Sequence, residues 1–155
     1  MACVVLLGAC SKKNNDPAPA TTTAGVTWTA DNTNYSSTFA NASVQGTNLY
    51  LTGVSGVTGG ANNTVNIVVP AATGTYSIAS APANANYVMS YNVNASSTSA
   101  TVYAASNVIG SGSGTVVVSG FSATEVSGTF SFTANNASGG TDSKVITNGK
   151  FTVKR

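Results

Sequence analysis

Cys10 is the residue with the most chemistry to offer, because of what stands before it. Leu7-Gly8-Ala9-Cys10 places a branched apolar residue and two small ones directly ahead of a cysteine. That is lipobox spacing, in which the thiol is alkylated by a diacylglyceryl group and the chain is cut so that the cysteine becomes the N-terminus. The apolar run Val4-Val5-Leu6-Leu7 leads into it, and Ser11-Lys12-Lys13-Asn14-Asn15-Asp16-Pro17 turns polar after it. Nothing basic precedes Val4, and the run is shorter than the roughly 7–15 residues of a signal h-region, which predicts a start further upstream. Cys3 falls on the leader side, so the mature chain keeps Cys10 alone, as a thioether. A disulfide framework and a thiolate metal site are thereby excluded. Multiple acyl chains hold a protein stably on a membrane, where a single chain is marginal. The expected division is 1–9 as signal, 10–24 as lipidated cysteine and tether, and 25–155 as one domain. The expected location is the outer membrane, on its periplasmic face or at the cell surface.

Catalytic chemistry is harder to assemble. The chain has no His, so Ser-His-acid and Cys-His nucleophile arrangements cannot be built. After the tether the acids are Asp31, Glu125 and Asp142. A glycosidase needs two carboxylates across one bond, and three so widely spaced supply a pair only by chance. Asp31 reads as a turn residue, Glu125 as the opening of a strand, and Asp142 as part of a Gly/Ser/Thr loop. Lys144 and Lys150 flank a strand, with no Ser-Lys motif. Calcium takes six to eight oxygens, usually with carboxylates; Asp142 with Asn135, Asn136 and Thr141 makes only a fragment of such a site, and these residues read as a turn. Gly110-Ser111-Gly112-Ser113-Gly114 lacks the Lys and helix of a phosphate loop. The expectation is no enzyme, no cofactor and no metal.

Binding rests on aromatics. Trp28, Tyr35, Tyr50 and Tyr103, with Tyr87 and Tyr91, would stack on sugar rings if exposed, with abundant Asn and Thr supplying hydrogen bonds. The competing reading is that these large side chains fill the core and their polar tips reach its rim.

These residues need strands to carry them. Charged residues are only 6% of the chain, against about a quarter in ordinary globular domains. Thr, Ser, Asn, Ala and Gly replace them, the composition of an all-β extracellular protein. The net charge of +2 is too small to suggest nucleic acid, and Lys12 and Lys13 would lie at the membrane surface. No stretch reaches the roughly 20 apolar residues of a membrane-spanning helix. Asn14 to Ala24 is a Pro/Ala/Thr tether. Beyond it, short β-branched runs are cut by Gly, Asn, Ser and Pro clusters. Strands are predicted at Val26–Ala30, Thr38–Ser43, Asn48–Val54, Thr64–Val69, Thr75–Ser80, Tyr87–Val93, Thr101–Ala104, Thr115–Ser119, Val126–Ala134 and Lys144–Lys154. The period of two puts Tyr87, Met89, Tyr91 and Val93 on one face. It likewise sets Val126, Gly128, Phe130, Phe132 and Ala134 against Ser127, Thr129, Ser131 and Thr133. Phe151 and Val153 face in, with Thr152 and Lys154 out. Thr115-Val116-Val117-Val118 is apolar on both faces, as a central strand would be. The predicted fold is a single antiparallel β-sandwich, or a barrel-like closure, with no substantial helix.

The order of several motifs resembles a known group. Trp28-Thr29-Ala30, Gly74-Thr75-Tyr76, Gly114-Thr115-Val116 with Phe121, Val126 to Ala134, and Ile146-Thr147-Asn148-Gly149-Lys150-Phe151 together look like small uncharacterised lipoproteins of Bacteroidetes-type bacteria. The resemblance implies an anchored all-β domain and carries over no site residues. Ser11-Lys12-Lys13 departs from the acidic stretch that follows the cysteine in many surface-exported lipoproteins of such bacteria. The function expected is a lipid-anchored, non-catalytic envelope protein with a structural or interaction role, its partner the membrane and an envelope protein or glycan. The alternative is a carbohydrate- or small-ligand-binding lipoprotein.

Overall fold

Alternation of apolar with hydroxyl side chains produces antiparallel strands along the whole domain. The computed structural model describes residues 24–56, 62–95 and 97–155; Cys3, Cys10, the signal and the tether up to residue 23 lie outside them. Among the described residues are eleven strands: β1 Gly25–Ala30, β2 Thr33–Ser36, β3 Phe39–Gln45, β4 Asn48–Ser55, β5 Asn63–Pro70, β6 Gly74–Ser77, β7 Val88–Val93, β8 Thr101–Ser106, β9 Ser113–Phe121, β10 Glu125–Asn136 and β11 Ser143–Lys154.

All the strands belong to one antiparallel sheet curled into a half-barrel. Its path runs β2-β1-β11-β10-β8-β7-β5-β4-β3, while β6 and β9 branch from β10. The twelve-residue β10 makes the branch possible. Val126 to Thr133 pair with β9, and Asn135 and Asn136 pair with β8. The all-β expectation is met, and the two packed layers are parts of one curled sheet. Its two ends meet at a corner, because β2 and β3 are joined only by Ser37 and Thr38. The Ser37 amide donates to the Val26 carbonyl and the Thr38 amide to the Val54 carbonyl, each at 2.8 Å. Gly53 on β4 then comes so near β1 that a Cβ there would stand 2.6 Å from the Val26 Cβ. Only glycine lets the curl close this tightly.

The core follows the predicted faces. Met89 and Tyr91 of β7, Val126, Phe130, Phe132 and Ala134 of β10, and Phe151 and Val153 of β11 are all buried, while Thr129, Ser131 and Lys154 are exposed. Phe130 lies 6.2 Å from Phe132 and 6.4 Å from Phe151 between ring centroids. Gly128, between them, faces Phe151 and the Val117 carbonyl with no room for a side chain.

Three details differ from the sequence reading. β2 is an added strand, formed because Asp31 and Asn32 take left-handed backbone (φ 50° and 63°) and close a two-residue hairpin from β1. Thr33-Asn34-Tyr35-Ser36 has too few apolar residues to announce itself. The run Thr75–Ser80 is a strand only to Ser77; Ile78–Ser80 is a single 3-10 turn that tucks Ile78 into the core. Thr115 to Val118 is not buried on both faces: Val116 and Val118 point inward and Val117 is 37% exposed. Its strand, β9, is flanked by β10 and β6, but only its inner face meets the core.

Candidate functional site

Topology brings most of the predicted binding aromatics to one end of the half-barrel. Trp28 on β1 stands opposite Tyr35 on the hairpin partner β2, and Tyr91 on β7 opposite Tyr103 on β8. Trp28 and Tyr35 stack at 5.5 Å with 15° between their planes, and Tyr35 meets Tyr91 at 6.4 Å, tilted by 60°. Trp28 is 1% exposed and Tyr103 6%, and Tyr35 is half-buried against the core. Stacked rings of this kind add about 0.5–1.5 kcal/mol beyond the area they bury. Tyr50 is apart from them, half-buried on the outer side of β4 between Ser43 and Val68. Trp28, Tyr35 and Tyr103 thus share one end of the barrel, but Trp28 and Tyr103 present no free ring face there.

Charges close that end. Lys144, next to the start of β11, forms an ion pair with Asp31 of the β1–β2 turn and lies 5.6 Å from the Tyr103 ring centroid. The Tyr103 hydroxyl donates to Asp142 Oδ2 at 2.6 Å, and Asn136 Nδ2 donates to Asp142 Oδ1 at 2.8 Å. Asp31 and Lys144 are 113 residues apart, and Tyr103 and Asp142 are 39 apart. No spacing in the sequence signals either contact. The hydrogen bonds from Tyr103 and Asn136 hold the Asp142 carboxyl below the usual aspartate range. The Tyr103 phenol is pushed up, first by its bond to Asp142 and then by burial. Lys144 is pushed up chiefly by Asp31. Burial, followed by a bond to Tyr35, carries Tyr91 well above the ordinary tyrosine range. Trp28 Nε1, buried near the Tyr91 hydroxyl, reaches no partner in hydrogen-bonding geometry.

The shifts of Asp142, Tyr103, Tyr91 and Lys144 each favour the protonation state the group holds at neutral pH. A general base needs an available lone pair and a pKa near the working pH; Asp142 has donors on both oxygens and a pKa moved the other way.

The shifts set the pH dependence of stability. Asp142 has a lowered folded pKa, so its contribution is complete above the ordinary aspartate value of about 3.9 and is lost as pH falls through the folded value. Tyr91, Tyr103 and Lys144 have raised values, so their contribution is complete at neutral pH and is lost as pH climbs past the folded values, above 10.0 for the tyrosines and 10.5 for the lysine. Urea unfolding should give a plateau at neutral pH with a decline on each side, and Tyr103→Phe should flatten the acid decline. An identical acid limb in the variant would refute the Tyr103–Asp142 coupling.

A second concavity lies on the outer face of β2, β1 and β11. β11 carries a β-bulge that both neighbours register, between Thr27 and Thr29 on β1 and between Phe130 and Phe132 on β10. Asn148 sits in it with left-handed backbone, φ 52°. Asparagine tolerates this conformation, and bulges re-aim side chains near functional sites. Asn148 Nδ2 donates to Thr29 Oγ1 at 3.4 Å, and the Thr29 hydroxyl donates to Asn34 Oδ1 at 2.7 Å. The depression holds about 490 Å³ and is lined by Thr27, Thr29, Asn34, Ser36, Asn148 and Lys150 together with two of the predicted binding aromatics, Trp28 and Tyr35. The motif Ile146-Thr147-Asn148-Gly149 was legible in the sequence; its bulge was not.

The model of a family described as a domain of unknown function (DUF6252) matches residues 22–153, nearly the whole chain beyond the tether. No curated protein and no solved structure matches the chain.

Proposed function

We propose that this chain, which belongs to the DUF6252 family, is a lipid-anchored, non-catalytic domain of the cell envelope with a structural or interaction role. The observation that carries the reading is the closed end of the half-barrel. Its aromatic rings pack against one another, and both of its carboxylates are engaged by Lys144, Tyr103 and Asn136. The outer surface supports it: Thr52 donates to Asn66 and Asn66 to Ser90, a ladder of hydroxyls and amides across β4, β5 and β7. Exposed large apolar side chains among the described residues (Phe39, Val102, Val108, Ile109, Val117 and Val145) are spread over five segments. The anchoring part of this reading is supported by Leu7-Gly8-Ala9-Cys10: with lipid on Cys10 the domain would stand on the outer membrane, as in the small lipoproteins its motifs resemble. Its partners are then the membrane and an envelope component, with no role for nucleic acid.

Expression with a complete leader tests the anchor. The protein should partition into detergent with acyl chains on Cys10, and Cys10→Ser should leave it unlipidated, unprocessed and water-soluble. A mature, unmodified chain beginning upstream of Cys10 would overturn the proposal.

A second reading, carbohydrate binding, is favoured by one observation, the concavity over the Asn148 bulge. Its amides and hydroxyls are the groups that hydrogen-bond sugars, and its volume falls within the roughly 300–1,000 Å³ of small-ligand sites.

A further inference from the structure

We infer that the depression over the Asn148 bulge binds a carboxylated sugar, a uronic-acid unit of a polysaccharide, with Lys150 pairing its carboxylate; this rests on the carbohydrate reading above. The bulge supplies the shape. It is fixed from beneath, because Gly149 lies against the Phe130 ring with no room for a Cβ, so the kink at Asn148 is held by the core. Asn148 spends one N–H on a long bond to Thr29, and Asn34 spends its oxygen on the same hydroxyl. Among the described residues these are the side-chain hydrogen bonds of the two amides, which leaves the Asn148 oxygen as an acceptor and the Asn34 nitrogen as a donor for a ligand's hydroxyls.

Lys150 supplies the charge. Its cross-strand neighbours are Thr27 on β1 and Thr129 on β10, both neutral. The one acid of the β1–β2 hairpin, Asp31, is paired with Lys144 instead. Lys150 makes no ion pair among the described residues. An ammonium flanked by amides and hydroxyls suits a sugar carboxylate, since charge-assisted hydrogen bonds are roughly twice as strong as neutral ones. A neutral sugar would gain less, because its usual strong contact is an exposed aromatic face, and of the two aromatics in the lining Trp28 is 1% exposed and half-buried Tyr35 stacks on it.

The concavity also continues. Gly25, Ser37, Thr152 and Lys154 line a second depression of about 250 Å³, adjoining the first along β1 and β11. Lys154 lies four residues beyond Lys150, about 13 Å along the strand at roughly 3.3 Å per residue. Glu125 stands opposite Lys154 in register and tempers its charge, so Lys150 is the principal anchor. A track of this length suits consecutive sugars better than a single small ion.

Hexagalacturonate and its neutral methyl ester are the probes, titrated into the full chain by calorimetry and followed by amide chemical shifts. The acid should bind more tightly than the ester, with shifts centred on Thr27, Thr29, Asn34, Asn148 and Lys150, and its affinity should fall with added salt. Lys150→Gln should weaken the acid about tenfold, while Lys150→Arg should retain most of the binding. Asn148→Ala and Asn34→Ala should weaken acid and ester alike. Equal binding of acid and ester, unchanged by Lys150→Gln, would overturn the acidic-sugar inference and leave the carbohydrate reading standing. Silence of both up to about 10 mM, beyond the millimolar range of a weak single site, would overturn both. Acid binding that survives Lys150→Gln and Asn148→Ala would place the site elsewhere and overturn the inference.

Discussion

Phe130→Ala or Phe132→Ala should each lower the unfolding free energy by about 3–5 kcal/mol, the range for emptying a packed aromatic site. Both rings are nearly inaccessible, at 4% and 3% exposed. They stack on each other, and Phe130 stacks on Phe151. Neither cavity can collapse easily, because β10 is held on one edge by β11 and on the other by β9 and β8. A loss of this size is a large part of a typical stability of about 5–15 kcal/mol. Thr129→Ala and Ser131→Ala, one residue away on the exposed side, should cost no more than about 0.5–1 kcal/mol. Because the two rings touch, the double variant should lose less or more than the sum of the singles by a measurable coupling. Urea denaturation of the five variants decides the matter. Equal losses on both sides of β10 would mean that its outer face is also covered.

Trp28→Ala should cost about as much, again about 3–5 kcal/mol, while Trp28→Phe should cost less than about 1.5 kcal/mol. The asymmetry comes from the indole nitrogen. Trp28 Nε1 is buried near the Tyr91 hydroxyl and makes no well-aligned hydrogen bond among the described residues, so the native state already bears part of the desolvation cost of an unmet donor. Phenylalanine removes that donor and keeps a ring to lie against Tyr35 at the barrel end. Alanine removes the ring as well and leaves Tyr35 and Tyr91 facing a void. In the native protein the emission of Trp28, the single tryptophan of the chain, should be blue-shifted and poorly quenched by acrylamide. Unfolding monitored by circular dichroism measures all three proteins without depending on that fluorophore. A Trp28→Phe loss equal to that of Trp28→Ala would show that Nε1 has a partner in solution.

The sequence was most legible where one side of a strand had to be apolar. Val126 to Ala134 alternates without a break, and a one-residue slip would expose every apolar side chain of the strand, so its register was specified locally. The same holds for Tyr87, Met89 and Tyr91, and for Phe151 and Val153. Legibility failed where a strand forms through its neighbours. Thr33-Asn34-Tyr35-Ser36 becomes β2 because Asp31-Asn32 turns the chain back onto β1. Val117 looks like a core residue, yet it lies outward, because β9 meets the core on one face only.

Sequence by itself therefore determined the all-β class, ten of the strand positions and which side of the clearest ones is apolar, since these depend on neighbours two residues apart. It also narrowed the chemistry, because a chain without His and with three acids beyond its tether has few ways to build a catalytic pair. Only the tertiary structure decided that one sheet closes on itself at Ser37 and Thr38. It alone brought Trp28, Tyr35, Tyr91 and Tyr103 to one end and paired Asp31 with Lys144 across the chain. The bulge at Asn148 belongs to the same category: its left-handed backbone is set by registers on two neighbouring strands at once. Such contacts join segments tens of residues apart, where their geometry follows from strand order and curl, and neither is encoded by the spacing of nearby residues.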